Sequence, residues 1–312
     1  HGLLAVNFIQ SLTRNHLIRI HYLNHLLRHQ WINRKYKMQS NVKLGSGTFG
    51  NNLKLSLIAG PCVLESHSHA RKMVEKLLNI NEKLNVNFTY KTSFDKANRT
   101  SLSGVRGLGL DESLKIFSEL KNEYKIKLLT DVHTEEQCSL VSEYVDIIQI
   151  PAFLCRQTDL LISAAKTNKV INVKKGQFLA PWDMKNVVKK VESSDNTNIL
   201  ITERGTSFGY NTLISDMRSL DIMKDELSYP IIFDATHSVQ SPGGQGDKSG
   251  GDRKFVPTLA KAAVSAGIAG VFIETHDDPD NAPSDGPNML HIDDLEKLVS
   301  KLLEIDNVVK EY

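Results

Sequence analysis

The chain has 312 residues, 40% hydrophobic and 24% charged, with a formal net charge of +2, enough to bury a large core as one big domain or two small ones. That charge is uneven: residues 1–37 hold six Arg/Lys, five of the eleven His and no acid, and taking those six from the 38 leaves 32 basic residues against 36 acidic ones, a net of −4. A mildly acidic body argues against nucleic-acid binding as the main task, no apolar run approaches the roughly 20 residues that span a bilayer, and three cysteines suggest a reducing compartment such as the cytoplasm rather than a disulfide framework. The segment 1–37 resembles an organellar transit peptide or an amphipathic surface helix, as in LIRIHYLNHLL (17–27). It is read as sequence preceding a start at Met38 and outside the fold, which leaves 38–312 as a single catalytic domain.

The next segment, NVKLGSGTFGNN (41–52), has turn-type glycines and is expected to form a hairpin plugging the bottom of a barrel. From residue 53 a short apolar run, a loop rich in Gly, Pro or charge, and an amphipathic segment recur. The apolar runs are 53–60, 86–92, 126–132, 145–151, 169–175, 198–205, 229–236 and 269–276. Helical spacing is clear in 70–84, 111–124, 253–267 and 291–305, the last with Leu295, Leu298, Leu302 and Leu303 on one face. Near-continuously apolar strands alternating with helices indicate a parallel sheet buried on both sides. Eight such units in about 260 residues fit an α/β fold of the TIM-type (β/α)8 kind. No Gly-x-Gly-x-x-Gly follows the first strand, which weakens a dinucleotide-binding alternative.

In such a barrel the active site lies at the C-terminal ends of the strands. Those ends carry Cys62; Lys91, Lys96 and Arg99; Asp131 and His133; Gln149 and Arg156; Lys174 and Lys175; Glu203 and Arg204; Asp234 and His237; then Glu274, His276 and Asp285. One such residue is ordinarily a rim charge; their recurrence at every strand end is not what a structural barrel requires. The segment KTSFDKANRT (91–100) is the densest case, with Lys91, Lys96 and Arg99 flanking Asn98 and Thr100. Arg grips phosphate through a planar fork and Lys acts as a mobile point charge. Two chemical subsets separate. Lys91, Lys96, Arg99, Arg156, Lys174 and Arg204 suit phosphates and carboxylates. Cys62, His237, Glu274 and Asp285 offer a thiolate, an imidazole and two carboxylates, a set suited to Zn, Fe, Mn or Co rather than Mg or Ca. For Cys62 the competing reading is a small buried hydrophobe, and for His237 a core histidine bonded to Asp234. Cys138 and Cys155 are read as packing residues. The Gly-rich loop 241–255 is read as a lid.

The runs IAGPCVLES (58–66), KANRT (96–100), IPAFLCRQTDL (150–160), NVKKGQF (172–178), TERGTSFGYN (202–211), FDATHSVQ (233–240), GGQGDKSGG (243–251), FIETH (272–276) and PSDGPN (283–288) resemble the 3-deoxy-D-manno-octulosonate 8-phosphate synthase family over about residues 40–312. The resemblance implies a barrel that condenses phosphoenolpyruvate with D-arabinose 5-phosphate and releases inorganic phosphate, in making a lipopolysaccharide sugar. Related synthases using erythrose 4-phosphate typically have Lys-Pro-Arg-Thr where this chain has Lys96-Ala97-Asn98-Arg99, which favours the five-carbon sugar. Cys62, where the metal-independent branch has Asn, together with Asp-Ala-Thr-His (234–237) and Asp247–Lys248, resembles the metal-dependent branch, and that resemblance implies Cys62, His237, Glu274 and Asp285 as ligands.

By the same resemblance, Lys96, Lys174 and Arg204 hold phosphoenolpyruvate, with Lys91, Gln149 and Ala152 close by, and Asn98, Arg99 and Thr100 hold the sugar phosphate. Lys96, Asn98, His237 and Asp285 are the residues expected to take part in catalysis. By the resemblance, Arg156 is expected to reach the site of a neighbouring subunit, which implies a homo-oligomer, a tetramer. A Schiff-base aldolase using Lys91 or Lys174 and a catalytically silent barrel are the competing readings.

Overall fold

The computed structural model describes residues 39–99, 101, 102, 104–243 and 250–310. Strands β1 (Val42–Leu44) and β2 (Gly47–Phe49) form an antiparallel hairpin. Its turn sets Gly45 at φ +58, a conformation that costs glycine little. Eight parallel strands follow: β3 (Ser56–Gly60), β4 (Asn87–Lys91), β5 (Leu128–Asp131), β6 (Ile147–Ile150), β7 (Val170–Lys174), β8 (Ile199–Glu203), β9 (Ile231–Asp234) and β10 (Gly270–His276). Each pairs with the next, and β10 pairs with both β9 and β3, so the sheet closes. Among the described residues, eight α-helices alternate with these strands: α1 (His67–Leu84), α2 (Leu110–Tyr124), α3 (Glu135–Ser142), α4 (Thr158–Lys166), α5 (Met184–Glu192), α6 (Arg218–Leu227), α7 (Val256–Val264) and α8 (Ile292–Lys310). This is the (β/α)8 barrel with an N-terminal hairpin that the apolar runs predict. The expectation for residues 1–37 falls outside the described residues.

Successive strand side chains alternate between the two faces, and here that period builds the site. One set of residues packs outward against the helices, Leu57, Phe88, Ile148 and Ile201 among them. The other forms an inner apolar cluster: Ile58, Leu129, Ile147, Val170, Leu200, Ile232 and Phe272, closed by Val42 and Phe49 of the hairpin. Two residues further along the same strands stand Gly60, Asp131, Gln149, Asn172, Thr202, Asp234 and Glu274. An apolar floor thus gives way to a polar layer within one period of the strand. In that layer Thr202 Oγ1 donates to Asn172 Oδ1 (2.6 Å), and Asn172 Nδ2 donates to Gln149 Oε1 (3.0 Å), linking β8, β7 and β6. Gly60 is required where it stands: a Cβ there would lie 2.0 Å from the Lys91 carbonyl oxygen.

Local signals explain the helix boundaries. α1 starts three residues earlier than the apolar spacing predicts because Ser66 caps it, its hydroxyl accepting the His69 N–H at 3.1 Å, a contact worth about 1 kcal/mol. α3 opens on a capping box between Thr134 and Gln137. The stretch predicted as helix over 253–267 begins with a 3-10 turn, Arg253–Phe255, before α7.

Candidate active site

At the C-terminal end of the barrel lies a cavity of about 340 Å³. Its walls include Lys91, Lys96, Asn98, Arg99, Gln149, Ala152, Lys174, Arg204, His237, Glu274 and Asp285. Lys91 continues β4 two residues beyond the buried Thr89, and it is itself only 1% exposed. Its Nζ donates to the Cys62 carbonyl oxygen (2.9 Å) and to Glu274 Oε1 (2.6 Å). Lys174, at the end of β7, donates to Asp234 Oδ2 at 2.5 Å, and its Nζ sits 3.9 Å above the Phe272 ring centroid, a cation–π contact at the cavity base. Arg204 donates through Nη2 to the His237 carbonyl (3.2 Å) and to Gln240 Oε1 (2.8 Å), while its buried Nε has no hydrogen-bond partner. Arg99 donates to Ser284 Oγ (2.6 Å) and to the Pro283 carbonyl (3.2 Å), tying its loop to the segment that carries Asp285.

Burial alone would discharge these groups, so the pairings decide their state. Burial opposes charge on Glu274, but Lys91, His237, Lys96 and Lys174 outweigh it and hold the carboxyl below its ordinary range. Asp234 and Asp285 are likewise held low against burial, the first by His237 and Lys174, the second chiefly by His237. Burial lowers the Lys174 and Arg204 pKa values, with Asp234 offsetting part of the effect in each case. For Lys96, burial is outweighed by Cys62, Glu274, Asp131 and Asp285, and its pKa rises.

Four donors meet at one side of the cavity. The Cys62 thiol donates to Asp285 Oδ2 at 3.1 Å, and His237 Nε2 lies 3.5 Å from Glu274 Oε2 and 3.9 Å from Asp285 Oδ2. Cys62, Glu274 and Asp285 each place a ligand atom within 4.8 Å of the others. Three observations fit this set to a divalent cation. Glu274 Oε2 is buried without a hydrogen-bond partner. His237 Nδ1 is engaged by Asp234 Oδ2 at 2.7 Å, which turns Nε2 toward the carboxylates, the usual arrangement behind a ligating histidine. Asp285 is held at φ +53, a left-handed backbone rare outside glycine. Burial first, then Glu274 and Asp285, push the Cys62 thiol well above its ordinary pKa, so without a cation it stays protonated; metal binding would release that proton.

Known proteins share most of this sequence. The sequence profile described as the DAHP synthetase I family matches residues 35–311. The chain belongs to the DAHP synthetase I family. Its curated relatives include proteins named 2-dehydro-3-deoxyphosphooctonate aldolase from Chelativorans sp. (strain BNC1), 63% identical over 269 residues, covering 86% of this chain and 97% of the relative. Those of Bartonella tribocorum (61% over 274 residues, 88% and 98% covered) and Brucella ovis (62% over 271 residues, 87% and 98% covered) carry the same name.

Within this family member, the strand-end residues divide by the side they face. Lys174 faces the cavity, whereas Lys175 is fully buried beside it and donates to the Gly176 and Leu179 carbonyls (3.2 and 3.1 Å). Arg204 lines the cavity, but Glu203 accepts from the Arg204 and Gly205 amides and from Ser219, holding its loop. Arg156 is exposed and is not among the cavity-lining residues. Thr100 lies outside the described residues. Cys138 and Cys155 are buried, as expected of packing residues. Gln240 was not singled out by sequence, yet it bridges Arg204 and Asp285, its Nε2 donating to Asp285 Oδ1 at 3.0 Å. Asp131 and His133 also line the cavity and pair at 3.1 Å, with Ser93 donating to Asp131; their strand-end position flagged them, but no role was assigned. In the Gly-rich loop, Gln240–Ser241 pairs antiparallel with Gly250–Gly251, and Pro242 and Gly243 reach the cavity wall.

No helix among the described residues is long and apolar enough to cross a membrane.

Proposed function

We propose that this chain condenses phosphoenolpyruvate with D-arabinose 5-phosphate and water to give 3-deoxy-D-manno-octulosonate 8-phosphate and inorganic phosphate, a step toward the lipopolysaccharide sugar. The name shared by its close relatives supports the reading. The observation that carries it is one cavity in which Lys91, Lys96, Arg99, Lys174 and Arg204 face His237, Glu274 and Asp285. Near neutral pH the two substrates bring about three and about two negative charges, and their approach in a site shielded from water would meet strong repulsion. The cations offset that repulsion and hold the reacting carbons in register.

Lys96, Lys174 and Arg204 hold phosphoenolpyruvate deep in the cavity, near Lys91, Gln149 and Ala152. Asn98, Arg99 and Thr100 take the sugar phosphate. Carbon 3 of the enol attacks the sugar aldehyde, water adds at carbon 2, and the tetrahedral intermediate loses phosphate. His237 and Asp285 move a proton, a role supported by Asp234 fixing the imidazole through Nδ1. Lys96 and Asn98 complete the catalytic group by positioning the reacting ends.

Cys62, His237, Glu274 and Asp285 hold a divalent cation of the Zn, Fe, Mn or Co type, which supplies Lewis acidity when bound. The cytoplasmic enzyme works as a homotetramer in which Arg156 of one copy reaches its neighbour's sugar-phosphate pocket, consistent with the exposure of that side chain. Residues 38–312 form the catalytic domain and residues 1–37 are dispensable; residues 244–249 of the lid expected over 241–255 lie outside the described residues.

The deciding experiment measures phosphate release with arabinose 5-phosphate and with erythrose 4-phosphate. Turnover only with the five-carbon sugar is expected; preference for erythrose 4-phosphate would overturn the assignment. Borohydride trapping of a lysine adduct with a keto acid would favour a Schiff-base aldolase instead.

A further inference from the structure

Outside the cavity, a second group of metal-ligating side chains gathers where the first and last barrel strands meet. We propose that Glu65, His69 and His276 form a second divalent-cation site, of the chemistry that zinc takes, sharing no residue with the set at Cys62. Glu65 lies in the segment after β3, His69 is in the first turn of α1, and His276 ends β10. Their ligand atoms all lie within 4.8 Å of one another. Glu65 Oε1 is 2.7 Å from His276 Nε2 and 3.9 Å from His69 Nδ1. Two imidazoles and one carboxylate are a donor set that zinc accepts, with a further position left for water.

The independent observation is His69 Nδ1, which is buried and has no hydrogen-bond partner. The other nitrogen of that ring, Nε2, lies 3.0 Å from Asp277 Oδ1. A carboxylate can only accept from the ring, so Nε2 carries a proton, and in the neutral ring Nδ1 turns a lone pair toward Glu65 and His276. A carboxylate fixing the far nitrogen is the arrangement found behind histidine ligands. Lys72 pairs with the other oxygen of Asp277 and keeps that residue in the orienting role. Binding exchanges the proton between His276 Nε2 and Glu65 for the cation; the Nδ1 of that ring sits between the Asp278 amide (2.9 Å) and Asp277 Oδ1 (3.4 Å). Occupied, the site would clamp the segment bearing Cys62 to the strand bearing Glu274.

The test counts metal on the full-length chain. Chelator-treated protein is titrated with Zn²⁺ alone against a chromophoric competitor, for the wild type and for His69→Ala, Glu65→Gln and Cys62→Ala. The wild type is expected to take up one equivalent that both His69→Ala and Glu65→Gln weaken by at least about 100-fold and that Cys62→Ala leaves in place. An equivalent lost only in Cys62→Ala belongs to the cavity set and is scored separately. Anomalous diffraction at the zinc edge from wild-type crystals should place a peak about 2.0–2.1 Å from His69 Nδ1, a readout independent of whether the variants fold. Unchanged zinc uptake in both folded variants, or no peak at His69 in zinc-soaked crystals, would overturn the proposal.

Discussion

Replacing Lys91 by Met removes a buried cation while nearly preserving side-chain length. The Lys91 Nζ–Glu274 Oε1 pair is 2.6 Å long, with side chains 2% and 1% exposed, so solvent screening offers little relief. At an effective dielectric constant of about 20 the gross attraction is roughly 6 kcal/mol. Measured losses on breaking a buried pair from one side run to about 3–5 kcal/mol. Lys96 Nζ at 3.9 Å from the same oxygen and His237 Nε2 at 3.5 Å from the other remain as partial substitutes, which favours the low end, about 3 kcal/mol.

Urea unfolding of chelator-treated protein at pH 7 measures the difference. The sign of its pH dependence is fixed by Glu274. In the wild type its depressed pKa contributes stability above about pH 4.3, the unfolded value, that is lost as pH falls through the folded pKa. Without Lys91, burial gains weight and the carboxyl titrates at higher pH, so acidification relieves the variant before the wild type. The gap should therefore narrow as pH falls from 7 toward 4, and a divalent cation at pH 7 should also shrink it. A loss under about 1 kcal/mol at pH 7, or a gap that widens on acidification, would refute the reasoning.

Chelation should abolish turnover and Mn, Co or Zn should restore at least part of it, whereas full activity in verified metal-free protein would remove the metal assignment; Cys62→Asn need not be fatal. Arg99→Ala should raise KM for arabinose 5-phosphate by roughly tenfold to a hundredfold, the cost of one charge-assisted contact, with a much smaller effect on phosphoenolpyruvate; equal effects would place Arg99 in the wrong pocket. A chain beginning at Met38 should melt and turn over like the full chain, because every barrel strand lies after residue 55; a substantial drop in melting temperature would assign residues 1–37 a packing role.

The eight barrel strands were legible because a parallel strand covered on both faces must be apolar along most of its length. That same property hid which neighbour faces the cavity. In VINVKK (170–175) apolar patterning alone does not distinguish Lys174 from Lys175, nor in ITER (201–204) which of Glu203 and Arg204 faces inward; the family resemblance named Lys174 and Arg204, and the register against the inner apolar cluster supplies the physical reason. The short helices α3 to α6 were not named from sequence, since eight to ten residues span fewer than three turns. Gln240 escaped because it follows a 3-10 turn, His237–Val239, where neither helical nor strand periodicity applies. Ser66 and Thr134, whose side chains cap α1 and α3, escaped a reading based on apolar spacing, because a cap lies outside the periodic segment that it starts.

The closure of β10 onto β3 also has a consequence for biosynthesis. Cys62 and Asp285, whose side chains touch, are 223 residues apart in sequence, and Glu274 belongs to the last strand laid into the sheet. A chain emerging from the ribosome therefore carries Cys62 and most of the cations long before the carboxylates that balance them exist. Lys91 has no Glu274 to enter against until a further 183 residues have been made, so its burial belongs to a late stage of assembly, as expected of contacts with large sequence separation. Metal capture by the Cys62 set would then mark completion of the barrel rather than nucleate it, and a chain truncated before residue 274 should bind no metal at that set.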